Sequence, residues 1–385
     1  MARRAVAEAV RPLPRVRRPI GDGDGLVLAE ELRARVALPS FDTSAMDGWA
    51  VRGAGPWRVV GESLAGRPAR DRIEDGQAVG IATGAMVPEG ADAVIRSEDG
   101  QVASDGRGTL LRAPDPLGPT HVRPAGQECA AGELLATAGT LLNPAHLGLV
   151  AAAGHDSLLV VPRPRVALVL FGDELATSGV PGPGLVRDSL GPQVPAWLAR
   201  MGVEVVSVTR SPDTLDAHVT AIRAAAREAD IILTTGGTAA GPADHLHAAI
   251  DGCAGRILVD TVAVRPGHPM LTARVLDGAA WLVGLPGNPQ SAIVTLLSLA
   301  APLAAGLAGR APLPALAEVP AAERIAAPAR EDRLVLGTLE HGAFAPGGHL
   351  GSGMLRGLAG ATGFGVLPPG GVAPGDPVRW LPLPG

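Results

Sequence analysis

The stretch Pro39–Val51 contains the carboxylate that is best placed to do chemistry, because a glycine follows it directly. Asp47 precedes Gly48, and glycine accepts a positive φ at the least cost. Proline and small hydroxyl residues around Asp47 argue against both helix and strand, so we predict a loop that holds an exposed, oriented carboxylate. On these residues alone, the favoured interpretation is an Asx-turn in which Asp47 only satisfies neighbouring backbone N–H groups.

Three acidic or glycine-rich segments follow predicted strands later in the chain, namely FGDEL at 171–175, TTGGT at 234–238 and LPGNP at 285–289. A Gly-Gly turn after a strand can present backbone N–H groups to a phosphate. Glu174 and Asp244 are carboxylates that together can hold Mg²⁺, which prefers one or two carboxylates plus phosphate oxygens. Taken singly, a tight connection or a surface carboxylate at a helix start explains each segment equally well.

The elements that position these segments form an α/β pattern. Continuous apolar strands at Arg165–Phe171, Asp230–Thr235 and Trp281–Leu285 alternate with helices, which predicts a doubly wound parallel sheet with both faces covered. In such sheets ligands bind outside the carboxyl ends of the strands, where the three segments lie. Prolines interrupt the uncharged stretch around Pro289–Leu307, so we predict a core helix there instead of a membrane span. The other elements expected in this domain are strands at Val203–Val208 and Arg256–Val264 and helices at Gln193–Met201 and Ser211–Glu228, with Ser211 or Asp213 as cap.

The flanking regions predict smaller elements. Helices are expected at Arg4–Val10, near Leu26–Arg35, and after Asn143 as N-cap with Pro144 at the first helical position. Short strands are expected at Trp57–Val60, Gln77–Ile81, Ala93–Arg96 and Thr109–Arg112. The changes in element type along the chain predict four domains. They are a helical N-terminal and linker domain (1–39 and 129–162), an inserted β-rich domain (40–128), a three-layer α/β domain (163–309) and a small C-terminal β-barrel domain (310–385).

Composition excludes several classes of protein. A chain of 385 residues with 46% apolar residues is long enough for two or more domains and too apolar for disorder. The net charge of −5 provides no overall basic field for nucleic acid, so we expect no nucleic-acid partner. Cys129 and Cys253 form no CxxC motif, which argues against a disulfide framework or a structural zinc. The N-terminal arginines precede no apolar segment, so we expect a cytoplasmic protein without a membrane partner.

The order of the motifs is more specific than any one of them. Those at residues 40–48 (SFDTSAMDG), 83–85 (TGA), 90–94 (GADAV) and 122–126 (VRPAG) come first. GDEL, Asp188–Ser189, TTGG, RPGHP (265–269), LPGNP and GSGML (351–355) then follow. This order resembles that of the MoeA/gephyrin E-domain family of molybdopterin molybdenumtransferases, in register from about residue 20 to about residue 380.

The resemblance implies a fold and a reaction. The α/β domain would be MogA-like, and the enzyme would insert molybdate into adenylylated molybdopterin with Mg²⁺ and release AMP. Carried over by position, the catalytic residues would be Asp47, Thr83, Glu174 and Asp244, and the last two would also hold the metal. A homodimer is implied, in which Asp47 reaches the partner's site, and the upstream adenylyltransferase is a further possible partner.

The resemblance also implies a substrate-binding set. Asp188, Ser189, Gly236 and Gly237 would face the pterin and the nucleotide. An oxyanion pocket would be lined by Arg265, His268, Pro269 and Ser352, with Arg333 as a further candidate, and Pro286 and Pro289 would shape the loop beside it. Molybdate is a doubly charged oxyanion, which suits cationic and hydroxyl donors.

This sequence resembles a divergent member, because Arg265 and His268 stand where the family usually has two lysines. The leading hypothesis is a molybdenum-inserting transferase. The alternative is a non-catalytic or weakly active paralogue that acts as a scaffold on the same fold, although a scaffold has no need to keep the dispersed polar residues. Adenylyltransferase chemistry is a third hypothesis, and it would leave the inserted and C-terminal β domains without a role.

Overall fold

The computed structural model describes residues 1–113, 120–238, 245–310 and 315–385. Residue contacts divide the chain into two units. The larger unit consists of Met1–Val16, Gly25–Ala29 and Val160–Gly385, and the smaller unit consists of Arg17–Asp24 and Glu30–Leu159. The four predicted domain boundaries are finer than this division and stay a prediction.

A six-stranded sheet organises the larger unit. Its strands, in spatial order, are Glu204–Ser211, Arg165–Phe171, Ile231–Thr235, Ala280–Leu285, Leu271–Val275 and Arg256–Asp260. The first four are parallel, as predicted, and the last two join the sheet by antiparallel pairing. Arg256–Asp260 confirms the first part of the strand predicted at Arg256–Val264, whereas Leu271–Val275 was not predicted. Alternate residues of Arg165–Phe171 enter two separate cores, because successive side chains of a strand point to opposite faces. The predicted doubly wound arrangement is therefore confirmed.

Helices cover both faces of this sheet. Thr214 caps the helix Leu215–Ala225 by accepting a hydrogen bond from the Ala217 N–H at 3.3 Å, so the prediction of Ser211 or Asp213 as the cap is wrong. Ser211 instead ends a strand opposite Phe171, and a residue before proline favours extended backbone. The α-helices of this unit are Ala2–Ala9, Leu190–Arg200, Leu215–Ala225, Leu246–Gly252, Pro289–Thr295, Ala301–Leu307 and Leu355–Gly360.

The apolar segment Pro289–Leu307 forms continuous helix, with a π-helical stretch at Leu296–Ala300. By length and composition it is the one helix among the described residues that is able to cross a membrane. However, 78% of its most apolar window is buried inside the protein. Such burial is typical of a core helix, which is what the interrupting prolines predicted.

A second sheet occupies the C-terminal part of the larger unit. Its strands, in order, are Val264–Arg265, Asp332–Glu340, Gly363–Leu367, Pro377–Pro382 and Ala317–Pro320, and Ala343–Pro346 also pairs with Asp332–Glu340. A parallel bridge joins Ala321 to Phe344, so the pairing path returns to the strand Ala343–Pro346. This is the pairing that a small barrel needs, although full barrel closure stays a prediction. Phe344 and Trp380, with ring centres 5.8 Å apart, lie in the core.

The main sheet of the smaller unit has six strands, in the order Ala93–Arg96, Gly48–Val51, Gln77–Ile81, Trp57–Ser63, Thr109–Arg112 and Gln101–Ser104. The four predicted strands are confirmed. The prediction that Pro39–Val51 contains no strand is wrong, since Gly48–Val51 pairs with a neighbour on each side. Ala50 and Val51 are fully buried, so burial on both faces explains why this short run is extended.

Short elements complete the chain. Asn143 caps the helix Pro144–Ala152 in a capping box with His146. The predicted cap at Asn143 and the predicted first helical position at Pro144 are both confirmed, whereas the role of His146 was not predicted. The helix expected near Leu26–Arg35 is wrong, because this stretch forms strand pairs that override its helix propensity. The remaining elements are strands at Val16–Pro19, Val27–Leu28, Leu32–Arg33, Thr43–Ser44, Val122–Arg123, Leu134–Ala136, Ser157–Val161, Leu175–Ala176 and Val186–Arg187 and a 3₁₀ turn at Ile20–Asp22.

Candidate active site

In the smaller unit, Asp47 and Thr83 are in direct contact. The Asp47 Oδ1 atom accepts hydrogen bonds from the Thr83 backbone N–H at 2.7 Å and from the Thr83 hydroxyl at 2.9 Å. Both residues are exposed. The second carboxylate oxygen, Oδ2, accepts no hydrogen bond from the described residues of this unit, so it is available to a ligand.

Strand pairing brings these two residues together. Gly48 is opposite Ile81 in an antiparallel pair, so the residue before one strand lies beside the residues after the other. Gly48 must be glycine, because a Cβ atom there would lie 1.8 Å from the Ile95 carbonyl oxygen. The sequence therefore fixes the carboxylate at a strand end, where its backbone cannot relax.

The Thr83 contacts also set the charge of Asp47. The backbone N–H of Thr83, followed by its hydroxyl, lowers the pKa of the Asp47 carboxyl below its ordinary value. Both donors stabilise the ionised form. Asp47 consequently stays a carboxylate to a lower pH than a free aspartate does.

Replacing Thr83 by alanine removes the hydroxyl donor and keeps the backbone donor. We expect the pKa of Asp47 to rise only part of the way toward its ordinary value, because the backbone N–H is the larger cause of the depression. A carbon-detected NMR titration of the carboxyl group measures this shift, with Asp47→Asn used to assign the signal. A pKa in T83A equal to that of the parent protein would show that the hydroxyl contact does not persist in solution.

In the larger unit, three predicted segments meet at the carboxyl edge of the parallel strands. Gly236 and Gly237 follow Ile231–Thr235 with φ of 79° and 65°, both in the left-handed region that favours glycine. The Gly236 N–H donates to the Leu285 carbonyl at 2.9 Å, which ties this turn to the neighbouring strand end. A Cβ atom on Gly236 would lie 3.6 Å from the Phe171 carbonyl, so the turn also lies close to the third strand end.

Glu174 is the exposed carboxylate beside this turn. Its carboxylate makes no hydrogen bond or ion pair with the described residues and lies over Gly172, where a Cβ atom would meet it at 2.8 Å. Asp244, the second predicted metal ligand, lies outside the described residues. In the described ranges, no group of three His, Cys, Asp or Glu side chains is arranged to hold a metal ion. A free, hard oxygen donor next to a phosphate-type turn fits Mg²⁺ held mainly through substrate oxygens.

Asp188 performs a structural task in this unit. Its Oδ1 atom accepts from the Leu190 and Gly191 N–H groups at 3.0 and 2.8 Å, and its Oδ2 atom accepts from the Arg210 guanidinium at 2.6 Å. The side chain is 4% exposed, whereas the neighbouring Ser189 is partly exposed. Both residues were predicted to face the substrate. Ser189 is the more accessible of the two, whereas the Asp188 side chain is buried and fully hydrogen-bonded.

His218 lies beside the glycine turn and was not singled out in the sequence. Its ring stacks on Phe171 with ring centres 3.5 Å apart and planes 9° apart, and a Cβ atom on Gly237 would lie 3.7 Å from its Nε2 atom. Burial is the main cause that lowers the pKa of His218. The stacked rings of His218 and Phe171 thus lie next to the turn, while the His218 Nδ1 atom lies 2.8 Å from the Thr214 carbonyl oxygen. Only the tertiary structure shows that the two rings are neighbours.

A cavity of about 330 Å³ gathers the predicted oxyanion residues in the larger unit. Its wall contains five residues of the predicted set: Arg265, His268, Pro269, Arg333 and Ser352. It also contains Ser291, which adds a hydroxyl that the sequence analysis missed, although Ser291 stands only two positions after Pro289. Two guanidinium groups, an imidazole and two hydroxyls suit a small oxyanion.

Gln290 holds the Ser352 loop in place. Its side-chain amide donates to the carbonyls of His349 and Met354 at 2.9 and 2.8 Å, and its backbone N–H donates to the Ser352 carbonyl at 2.9 Å. Pro289 starts the helix that carries Gln290, and Pro286 follows the strand Ala280–Leu285. The two prolines therefore set the start of the supporting helix, and neither is part of the cavity wall formed by the described residues.

Glu331 is the functional residue that the motif order did not indicate. Its Oε2 atom lies 2.5 Å from the Arg265 Nε atom, and its Oε1 atom lies 3.8 Å from the His268 Nδ1 atom. It is 20% exposed. Glu331 is not part of the cavity wall, but its carboxylate pairs with Arg265 in that wall and partly neutralises the cation that would face an anion.

Known families match nearly the whole chain. Residues 1–154 match the MoeA N-terminal region (domain I and II), residues 167–305 match the probable molybdopterin binding domain, and residues 318–383 match the MoeA C-terminal region (domain IV). Among solved structures, a molybdopterin biosynthesis MoeA protein from Pyrococcus horikosii is 25% identical, with a TM-score of 0.81. The similarity covers 100% of this chain and 98% of that one.

Two curated relatives extend the comparison. Molybdopterin molybdenumtransferase from Haemophilus influenzae is 34% identical over 290 residues, which cover 74% of this chain and 70% of that protein. Molybdopterin molybdenumtransferase 2 from Mycobacterium tuberculosis is 35% identical over 310 residues, which cover 76% of this chain and 75% of that protein. Fold and site define a multidomain α/β protein of molybdenum cofactor biosynthesis. The chain belongs to the MoeA family of molybdopterin molybdenumtransferases.

Proposed function

We propose that this protein is a molybdopterin molybdenumtransferase, which inserts molybdate into adenylylated molybdopterin and releases AMP. The observation that carries this proposal is the convergence of Arg265, His268, Arg333 and Ser352 on one cavity. These residues come from distant parts of the sequence, and a scaffold does not need them to converge. The transferase is therefore favoured over the scaffold alternative.

The chain's own groups would divide the work. The Gly236 N–H is bonded to Leu285, so the Gly237 backbone N–H, which donates to none of the described residues, would bind a phosphate of the adenylylated substrate. Arg265, Arg333 and the two serine hydroxyls would bind and orient molybdate, since charge-assisted hydrogen bonds are strong and directional. Asp47, held ionised by Thr83, would orient a cationic or metal-bound group at the reacting phosphate.

Mg²⁺ would be held by Glu174 together with Asp244 and substrate oxygens. Bound there, it neutralises charge that develops on the pyrophosphate linkage. The exposed carboxylate of Glu174, which has no partner among the residues that the structure describes, supports this placement. The other groups of the site act on the substrate by binding and orientation, as described above.

Two finer points belong to the same proposal. We infer a homodimer in which Asp47 serves the partner's site, and an interaction with the upstream adenylyltransferase that supplies the substrate. We also infer a cytoplasmic location, because Cys129 and Cys253 are both free thiols, as expected in a reducing compartment.

The proposal is tested by supplying purified protein with adenylylated molybdopterin, Mg²⁺ and molybdate. AMP release and reconstitution of an apo-molybdoenzyme are measured together. We expect both to depend on molybdate. No AMP release at any molybdate concentration would refute the transferase proposal and favour the scaffold.

His268 provides a first prediction about the anion pocket. A His268→Lys substitution places an ammonium group, a compact positive charge, where the imidazole stands. We expect the molybdate concentration for half-maximal AMP release to fall by roughly fivefold to tenfold. His341→Lys, which adds the same charge at an exposed hairpin of the C-terminal sheet, is the control and should leave the requirement unchanged. An unchanged requirement in H268K would show that this residue does not face the anion.

Glu331 provides a second prediction. A Glu331→Gln substitution removes the negative charge beside Arg265 and keeps the size of the side chain. We expect the molybdate requirement to fall by about tenfold, because Arg265 is released from an ion pair and the anion meets no carboxylate. Glu318→Gln removes an exposed carboxylate from the same sheet and serves as the matched control. If E331Q raises the requirement, Glu331 is needed to orient Arg265.

A further inference from the structure

A second cavity, of about 640 Å³, lies in the larger unit and is separate from the candidate active site. Arg11 and Pro12, in the connector after the first helix, form one wall. Arg256, Arg274 and Trp281, on the sheet, form the other. Volumes of this size are typical of sites for small organic ligands.

This cavity lies at the amino ends of the parallel strands. Asp230, in its wall, directly precedes Ile231–Thr235, and Trp281 is the second residue of Ala280–Leu285. The glycine turn and Pro286 follow the opposite ends of the same two strands. Five residues of strand separate the two ends by roughly 16 Å. The cavity therefore lies at the opposite edge of the sheet from the candidate active site.

The wall on the sheet carries a row of side chains in register. Arg256 is opposite Arg274, and Arg274 is opposite Trp281, so the three side chains lie on one face of three neighbouring strands. The Arg274 guanidinium lies 4.6 Å from the centre of the Trp281 ring. Like charges directly opposite each other in an antiparallel pair destabilise the sheet. A negatively charged group beside Arg256 and Arg274 would therefore stabilise this part of the sheet.

The described residues supply little of that counter-charge. The Arg11 guanidinium donates to the carbonyls of Glu8 and Val10, and the Arg274 guanidinium donates to the Gly278 carbonyl. None of the three cavity arginines forms an ion pair with a described residue. Asp230 is the one carboxylate in the described wall, and it already accepts the Arg165 N–H at 2.8 Å. Burial lowers the pKa of Arg274, because a partly desolvated guanidinium loses part of its hydration.

We propose that this cavity binds a phosphate monoester of nucleotide size. Paired guanidinium groups match the geometry of a doubly charged phosphate. The cavity is larger than a phosphate ion needs, and Leu13, Leu258 and Leu307 give the rest of the ligand an apolar surface. This site goes beyond the proposed transferase function and does not depend on it.

Equilibrium dialysis with AMP, inorganic phosphate and adenosine tests the proposal on the full chain. We expect the parent protein to have an AMP site whose affinity falls at least roughly tenfold in Arg256→Gln, since a hydrogen bond to a charged group is lost. Inorganic phosphate should compete for this site and adenosine should not. Arg274→Gln should have the same effect, and the exposed Arg256 keeps the test valid if R274Q unfolds.

Arg227→Gln is the matched control, because Arg227 is an exposed arginine of the same unit that lies outside the cavity. It should keep every AMP site. The proposal is overturned if the parent protein binds neither AMP nor phosphate, or if R256Q and R274Q keep all AMP sites with unchanged affinity. If AMP binds only at the candidate active site, R256Q and R274Q keep all AMP sites, and the proposal is overturned. A failure of AMP release in the transferase assay leaves this binding measurement unaffected.

Discussion

Asp47→Asn should lower the rate of AMP release at saturating substrates by on the order of a hundredfold or more, which is the size of effect that a preorganised electrostatic group has. Asparagine keeps the Oδ1 atom that accepts both hydrogen bonds from Thr83, so the strand end keeps its geometry. What is lost is the negative charge and the free Oδ2 atom. We therefore expect the substitution to lower the rate of AMP release and to leave the fold intact.

The measurement pairs the AMP-release assay with thermal unfolding of each variant. Asp71→Asn is the control, since Asp71 is an exposed aspartate of the same unit that contacts none of the site residues among those described. D71N should match the parent protein in rate and Tm, and D47N should match it in Tm alone. More than half of the parent rate in D47N would remove Asp47 from the proposed site.

Much of the fold follows from local pattern. Gln77–Ile81, Ala93–Arg96 and Thr109–Arg112 have the predicted bounds, because short runs rich in apolar residues that are bounded by turn residues mark strands clearly. Arg165–Phe171 is likewise marked by an unbroken apolar run. In contrast, Leu271–Val275 follows a proline-rich loop and contains Arg274, so its pairing depends on a neighbour that the sequence does not indicate.

Site residues that belong to a sequence motif could be predicted, whereas residues that join the site only through a tertiary contact could not. The motif order placed Arg265, His268 and Ser352 together, and the structure brings them to one cavity. Glu331 belongs to no motif and reaches Arg265 only because Val264–Arg265 pairs with the strand Asp332–Glu340. His218 meets Phe171 through helix packing, for the same kind of reason.

Asp188 shows the opposite case, in which a residue inside a motif has a structural task. The resemblance assigns it to the substrate, yet its carboxylate is used completely by Leu190, Gly191 and Arg210. The first two contacts satisfy N–H groups at the start of the helix Leu190–Arg200, where such groups have no partner within the helix. We infer that Asp188 positions the Ser189 backbone and does not bind the substrate itself.

Asp188→Ala should consequently destabilise the protein by about 2–3 kcal/mol. Loss of a helix-capping side chain costs about 1 kcal/mol. Breaking a buried ion pair costs several kcal/mol, and we reduce this because Arg210 is 42% exposed and is screened by solvent. Asp188→Asn keeps an acceptor for the two N–H groups and loses the ion pair, so it should fall between D188A and the parent protein.

Urea unfolding at neutral pH measures these differences. Asp216→Ala is the matched control, because Asp216 also lies in the first turn of a helix but is exposed, and its loss should cost at most about 1 kcal/mol. A graded series in which D188A is least stable supports a structural role for Asp188. The structural role is contradicted if both Asp188 variants are as stable as the parent protein and have a higher KM for the adenylylated substrate. Asp188 would then return to the substrate-binding set, because a residue that only holds the helix start cannot weaken binding without weakening the fold.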